Sequence, residues 1–141
     1  MTSEFGKSIT AEDIVEQTDF FDDWEEKYAF LIDLGKQLPA FNSAEKSADN
    51  LVKGCQSDVW ITHAKQGEQF VFFADSDAII VKGLLAVILA AYNYKTAEEI
   101  LDFDIEGYFE KLDLLSHISN VRGNGIQAMV ARIRGFATPA G

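Results

Sequence analysis

The amino-acid sequence predicts an α+β fold, a small antiparallel β-sheet of about three strands packed with several α-helices in a single domain, residues 1–141. Three observations predict it. Apolar residues recur at helical spacing toward both ends of the chain. β-Branched and aromatic residues gather in two short runs near its middle. No internal repeat, low-complexity tract or Pro/Gly-rich linker divides the 141 residues. Helices, then strands, then helices is the order of an α+β protein rather than an alternating α/β one. With 48% hydrophobic and 12% aromatic residues, the chain has apolar surface enough for a core that needs neither disulfides nor metals. The same composition argues against disorder. The ends, 1–10 and 136–141, are expected to fray.

Thr10 followed by Asp13 signals the start of a short first helix. Asp22 and Asp23 signal a second start, and Trp24, Tyr28, Leu31 and Gly35, widened by Phe30 and Leu34, mark one helical face from Trp24 to Leu38 that Pro39 terminates. The polar stretch from Phe41 to Asn50 reads as a loop. Val59-Trp60-Ile61-Thr62 and Phe70-Val71-Phe72-Phe73 read as the strands of a hairpin, with Lys65, Gln66 and Gly67 in its turn. Leu51 to Lys53 offers the further strand, ending at Gly54. Ser76 and Asp77 look like the cap of a long helix, Ala78 to Tyr92, which is apolar on nearly every side and therefore belongs in the core. Thr96 with Glu99 is a capping-box pattern for a short helix, and Asp104 opens another through Phe109 and Leu112. Ile126, Met129, Val130 and Ile133 define a last amphipathic helix ending near Gly135.

Charge and cysteine content narrow the function. Twenty-three acidic against twelve basic residues leave a net charge of −11, which disfavours direct nucleic-acid binding and makes a basic partner surface the natural one. The N-terminus carries Glu4 and Lys7 and no apolar signal region, so a cytoplasmic protein with a reduced thiol is expected. No membrane span is expected either: the longest apolar run, Ile79 to Tyr92, is interrupted by Lys82 and Gly83 and falls short of the ~20 residues a span requires. One cysteine excludes an intramolecular disulfide, a CxxC redox pair and a cysteine-rich zinc or iron–sulfur site within the chain.

That cysteine lies in Lys53-Gly54-Cys55-Gln56-Ser57-Asp58-Val59-Trp60. Gly54 removes a side chain beside the sulfur, and Gln56 and Ser57 supply hydrogen-bonding groups, so Cys55 belongs to a polar turn. Two readings stay open from the residues alone, a small buried hydrophobe and a reactive loop thiol. Gly54-Cys55-Gln56-Ser57 followed by Val59-Trp60-Ile61 resembles the signature of the SufE/CsdE family of sulfur-acceptor proteins, which work with cysteine desulfurases in iron–sulfur cluster assembly. Further stretches match in order: Trp24-Glu25-Glu26-Lys27-Tyr28 with Leu34-Gly35-Lys36-Gln37-Leu38-Pro39, Ser76-Asp77-Ala78 with Val81-Lys82-Gly83-Leu84, and Arg122 with Gly125 and Ala128-Met129. The resemblance runs from Phe20 to Ile133.

The resemblance implies the fold shared with IscU-type scaffolds. It implies that Cys55 is the catalytic residue, taking the terminal sulfur of a desulfurase persulfide, carrying it as Cys55-S-SH and relaying it to an iron–sulfur scaffold while stimulating the desulfurase. The implied partners are a cysteine desulfurase, Suf-type (SufS) or Csd-type (CsdA), and the scaffold downstream. The Csd branch adds a route toward tRNA modification. No cofactor is expected on this chain, since pyridoxal phosphate belongs to the desulfurase.

Gly54, Gln56, Ser57, Arg122 and Asp77 form the supporting motif that the resemblance implies around Cys55. A guanidinium at Arg122 would favour a thiolate or persulfide anion, and a surface arginine near a helix start is the alternative. The family pattern has a proline two positions before that arginine, where this chain has Asn120. For Asp77 a helix-cap role is sufficient. His63 and His117 match no metal-ligand spacing with Cys55, and no Cys–His protease signature is present, so no metal site is expected. Trp24, Tyr28, Trp60, Phe70, Phe72 and Phe73 recur at helix and strand periods and read as core. Asp22, Asp23, Glu25 and Glu26 suit a solvated helix start and are also placed to steer a basic partner. Two functions of other classes remain: a noncatalytic acidic adaptor that regulates a partner enzyme, and a one-cysteine thiol peroxidase.

Overall fold

A computed structural model describes residues 3–55, 57–114 and 120–138, the side chains of 120–124 excepted. Helices α1 (Ala11–Thr18) and α2 (Trp24–Lys36) precede strands β1 (Val59–Gln66) and β2 (Gln69–Ser76). Then come α3 (Ile79–Tyr92), β3 (Lys95–Thr96), α4 (Ala97–Asp102), α5 (Ile105–Leu112) and α6 (Asn120–Ala137). The architecture is α+β: among the described residues, a three-stranded antiparallel sheet of order β1-β2-β3 with six α-helices.

The helix starts follow local chemistry. Thr10 and Asp13 form a reciprocal capping box on α1, Thr96 and Glu99 form another on α4, and Asp23 and Asp104 cap α2 and α5. The α2 helix stops at Lys36, two residues short of Leu38, because the chain must leave the helical region ahead of Pro39. The long helix differs at its start. Its N-cap is Ala78, whose own side chain makes no capping bond. The Ser76 hydroxyl accepts from Ala78 N–H at 3.2 Å while donating to the Asp58 carbonyl, and the Asp77 side chain turns back to Asp58 N–H instead of capping α3.

The hairpin closes through Gly67 and Glu68, while Lys65 and Gln66 stay in β1 and are not turn residues. Gly67 has φ +64 at the first central position, the sign a type II′ turn requires and one that glycine adopts freely. The expected strand over Leu51–Lys53 is a single bridge, Leu51 to Trp60, flanked by Val52 N–H to the Val59 carbonyl at 2.7 Å and Ile61 N–H to the Asn50 carbonyl at 3.0 Å. It goes no further because Gly54, at φ +96, turns the chain off the sheet. The third strand is Lys95–Thr96 on the other edge. There Tyr94 N–H reaches the Phe70 carbonyl at 2.7 Å, and the Asn93 side chain accepts from Phe72 N–H at 2.7 Å, taking the place of a longer strand.

The expected fraying of 1–10 does not hold for residues 3–10. Phe5 is fully buried, and Ser3 exchanges two 3.0 Å hydrogen bonds with the Tyr94 hydroxyl. At the other end α6 continues through Ala137, which is buried. Neither segment advertises this in sequence, because the partner in the first case lies about ninety residues away.

The core is built on α3, buried along nearly its whole length. Helix α2 crosses it with almost no separation: a Cβ on Gly35 would lie 2.7 Å from Gly83 N, and one on Gly83 would collide with the Leu31 carbonyl. Glycine at both positions is what permits that approach. Gly83→Ala should therefore lower unfolding free energy by about 1–3 kcal/mol in urea denaturation, the cost of overpacking a filled core. A midpoint unchanged from the parent would show that the two helices can separate without penalty.

Candidate functional site

Cys55 sits on the short connection between the Leu51–Trp60 bridge and β1. Both ends of that connection are pinned. On the N-terminal side Val52 bonds Val59. On the C-terminal side Asp58 is held by the β2–α3 junction: its N–H donates to Asp77 Oδ1 at 3.2 Å, and its carbonyl accepts from Asp77 N–H at 3.3 Å and from Ser76 Oγ at 2.7 Å. Asp77 is thus a loop clamp, a role its position beside an apparent helix start conceals.

Between these anchors Gly54 lets the loop fold onto α6. A Cβ on Gly54 would come within 3.3 Å of Ala128 Cβ, tighter than an ordinary contact, on top of a backbone angle that side chains resist. Cys55 is half-buried against the next turn, where its Sγ points to the Gly125 carbonyl at 3.6 Å. Burial pushes the thiol pKa up from its ordinary value. With its pKa raised by burial, Cys55 is a partly shielded thiol that favours its protonated form and is a weak nucleophile in this conformation.

Ser57 lies partly buried on the same connection, and Lys53 is exposed. Gln56 lies outside the described residues, as does His117, and Arg122 falls in the first turn of α6 with its side chain outside them. His63 stacks on Phe136, ring centroids 4.1 Å apart, and burial lowers its pKa. Among the described residues no group of three or more His, Cys, Asp or Glu side chains is placed to hold a metal ion, and no helix is long and apolar enough to cross a membrane. Gly125 and Ala128, the wall behind the thiol, belonged to a matching sequence block. Their role was invisible because it depends on a contact spanning seventy residues.

Around the clamp, Asp75 binds two lysines, Lys46 at 3.0 Å and Lys82 at 3.5 Å. Burial would raise its carboxyl, but the Lys46 hydrogen bond, the Ser76 N–H and the two ammonium charges together outweigh this and hold it below the usual carboxylate range. Lys46 also lies over the Trp60 ring, 5.1 Å from its centroid. The loop before Cys55, β2 and the start of α3 are tied together at one point.

A model of the SufE domain family, described as an Fe-S metabolism associated domain, matches residues 12–137. The chain belongs to the SufE family. The matched span contains Cys55, its clamp and its α6 wall, and the family places this SufE chain in Fe-S metabolism. The fold is also similar to the solution structure of a hypothetical protein from Thermus thermophilus, at a TM-score of 0.73 and 15% identity, covering 97% of this chain and 96% of that one. At that identity the likeness speaks to fold alone.

Two outcomes follow from the clamp and the thiol. Asp77→Ala removes the acceptor for Asp58 N–H, a bond of about 0.5–1.5 kcal/mol, so alkylation of Cys55 by iodoacetamide should quicken by up to about tenfold. An unchanged rate would show that the Asp77 side chain does not hold the loop. Because the folded pKa is raised, the folded chain keeps its thiol proton to higher pH than the unfolded chain. This group's contribution to stability is present below the unfolded pKa and lost as pH climbs through the folded one. The alkylation profile of the folded protein should therefore lie to higher pH than that of the urea-unfolded chain.

Proposed function

We propose that this SufE-family chain is a sulfur acceptor and carrier that takes persulfide sulfur from a cysteine desulfurase onto Cys55 and relays it toward iron–sulfur cluster assembly. The observation that supports the reading is a single half-buried thiol on a loop anchored at both ends, inside the span that matches the family. One thiol is enough to hold one sulfur atom.

The chemistry is an exchange. Cys55 loses its proton, and its thiolate attacks the outer sulfur of the donor persulfide. A new S–S bond forms on Cys55 as the donor's S–S bond breaks, and the donor cysteine leaves as a thiolate that takes up a proton. No external oxidant or reductant is needed. The next acceptor thiolate repeats the attack on the sulfur parked at Cys55. In this reading pyridoxal phosphate serves on the desulfurase, and the exchange requires none on this chain.

Shielding follows from the same requirement. A persulfide left in solvent is open to oxidation and to stray thiols, so a carrier gains from a resting pose that covers the sulfur and a docked pose that exposes it. The clamp at Asp58 and the contact with Gly125 are weak individually, which keeps the exchange between the two poses inexpensive.

Incubation with a desulfurase and cysteine should raise the mass of the protein by about one sulfur atom, reversibly under dithiothreitol. Cys55→Ser should show no gain and should no longer stimulate the desulfurase, though it still docks. Full stimulation by Cys55→Ser would sink the carrier reading and leave a noncatalytic adaptor. Oxygen additions under peroxide, without sulfur uptake, would point instead to a thiol peroxidase.

A further inference from the structure

We propose that the groove between α1 and α5 is a second docking site, separate from Cys55, for a protein segment that presents lysine or arginine side chains on an apolar surface. The groove encloses about 420 Å³. Its floor is apolar, with Val15, Phe103 and Tyr108, and Tyr108 spends its hydroxyl on the Val87 carbonyl at 2.9 Å, so it offers ring surface. Its rim is acidic, with Glu12, Glu16 and Asp19 along α1.

Those three carboxylates are left uncompensated. All three are exposed and make no ion pair among the described residues, whereas Asp75 has two lysines. Spaced i, i+4 and i+7 they share one face of α1, where like charges repel. Glu16 and Asp19 also stand at the C-terminal end of the helix, whose last turn has no basic residue, so the helix dipole opposes them. Across the groove Asp104 adds a further carboxylate, occupied in capping α5 through Gly107 N–H, and Lys111 is the one cation on the lining. Burial first, and then the Glu12 charge, push the Tyr108 phenol pKa up, so the rim acts on the floor.

A cation at this rim relieves both the repulsion and the dipole conflict. The carboxylates do not converge closely enough to hold a metal ion. A long basic side chain suits the site, with its methylene stem on Val15 and Phe103 and its head among the carboxylates. The net charge of −11 favours the approach of such a partner. None of these residues lies on the Cys55 loop or on α6.

The test titrates the full chain, labelled for amide NMR, with a short amphipathic peptide of leucine and arginine. It is compared with a peptide of equal arginine content in which glycine replaces leucine. Shifts should concentrate on α1 and α5 with the leucine peptide, and the glycine peptide should bind at least about tenfold more weakly for want of the apolar contact. E12Q/E16Q should weaken the leucine peptide by about tenfold, two exposed ion pairs being lost. D49N/E68Q changes net charge equally at exposed positions outside the groove lining and should weaken it by no more than about twofold. Equal loss in both double variants, equal binding of the two peptides, shifts centred elsewhere or no binding would each overturn the proposal.

Discussion

A fourteen-residue helix with twelve buried residues has to be covered on every side, and the rest of this molecule is arranged to do that. Each buried Leu, Ile or Val on α3 contributes about 1.5–3 kcal/mol only if neighbours exclude water from it. Helix α2 supplies one cover through the Gly35–Gly83 crossing, β2 another, and α5 a third through Tyr108, whose hydroxyl reaches the Val87 carbonyl. The same constraint positions the chemistry. Because β2 feeds directly into α3, Ser76 and Asp77 are rigidly placed at the junction, and through Asp58 they place the loop that carries Cys55.

The site then works by contrast between firm and weak attachments. Its surroundings are firm: Lys46, Asp75, Lys82 and Trp60 tie a loop, a strand and a helix together. The thiol itself makes a long contact with a helix carbonyl, packs at the edge of the core and sits only half-buried, with its pKa raised by burial. Such an arrangement keeps the sulfur protonated and partly covered. A fully buried thiol would be inert, and a fully exposed one would meet every oxidant in solution.

Acidic side chains in this chain do two different jobs. Several are consumed by structure: Asp13, Asp23 and Asp104 bond helix N-termini, Asp75 gathers lysines and Asp77 holds Asp58. The face formed by Glu12, Glu16 and Asp19 finds no ion-pair partner among the described residues, and Glu16 and Asp19 stand against the dipole of their own helix. A sum of charges cannot separate these classes; only the partners each carboxylate finds can.

The sequence by itself determined the helix starts, because Thr10, Asp23, Thr96 and Asp104 act on backbone a turn away. It determined the two strands of the hairpin, though not the exact turn, and the burial of α3, which has no polar face. It also singled out Cys55, the lone cysteine, in Gly54-Cys55-Gln56-Ser57, one of the four ordered blocks that together carry the family resemblance. The tertiary structure decided what depends on residues remote in the chain. Lys95–Thr96 became the third strand and Leu51–Lys53 did not, because edge pairing rewards whichever segment the core brings alongside. Asp77 became a clamp instead of a cap because Asp58 lay within reach, and residues 3–10 packed because Tyr94 did. Gly125 and Ala128 became the wall behind the thiol only once α6 had docked, a long-range contact that no local periodicity encodes.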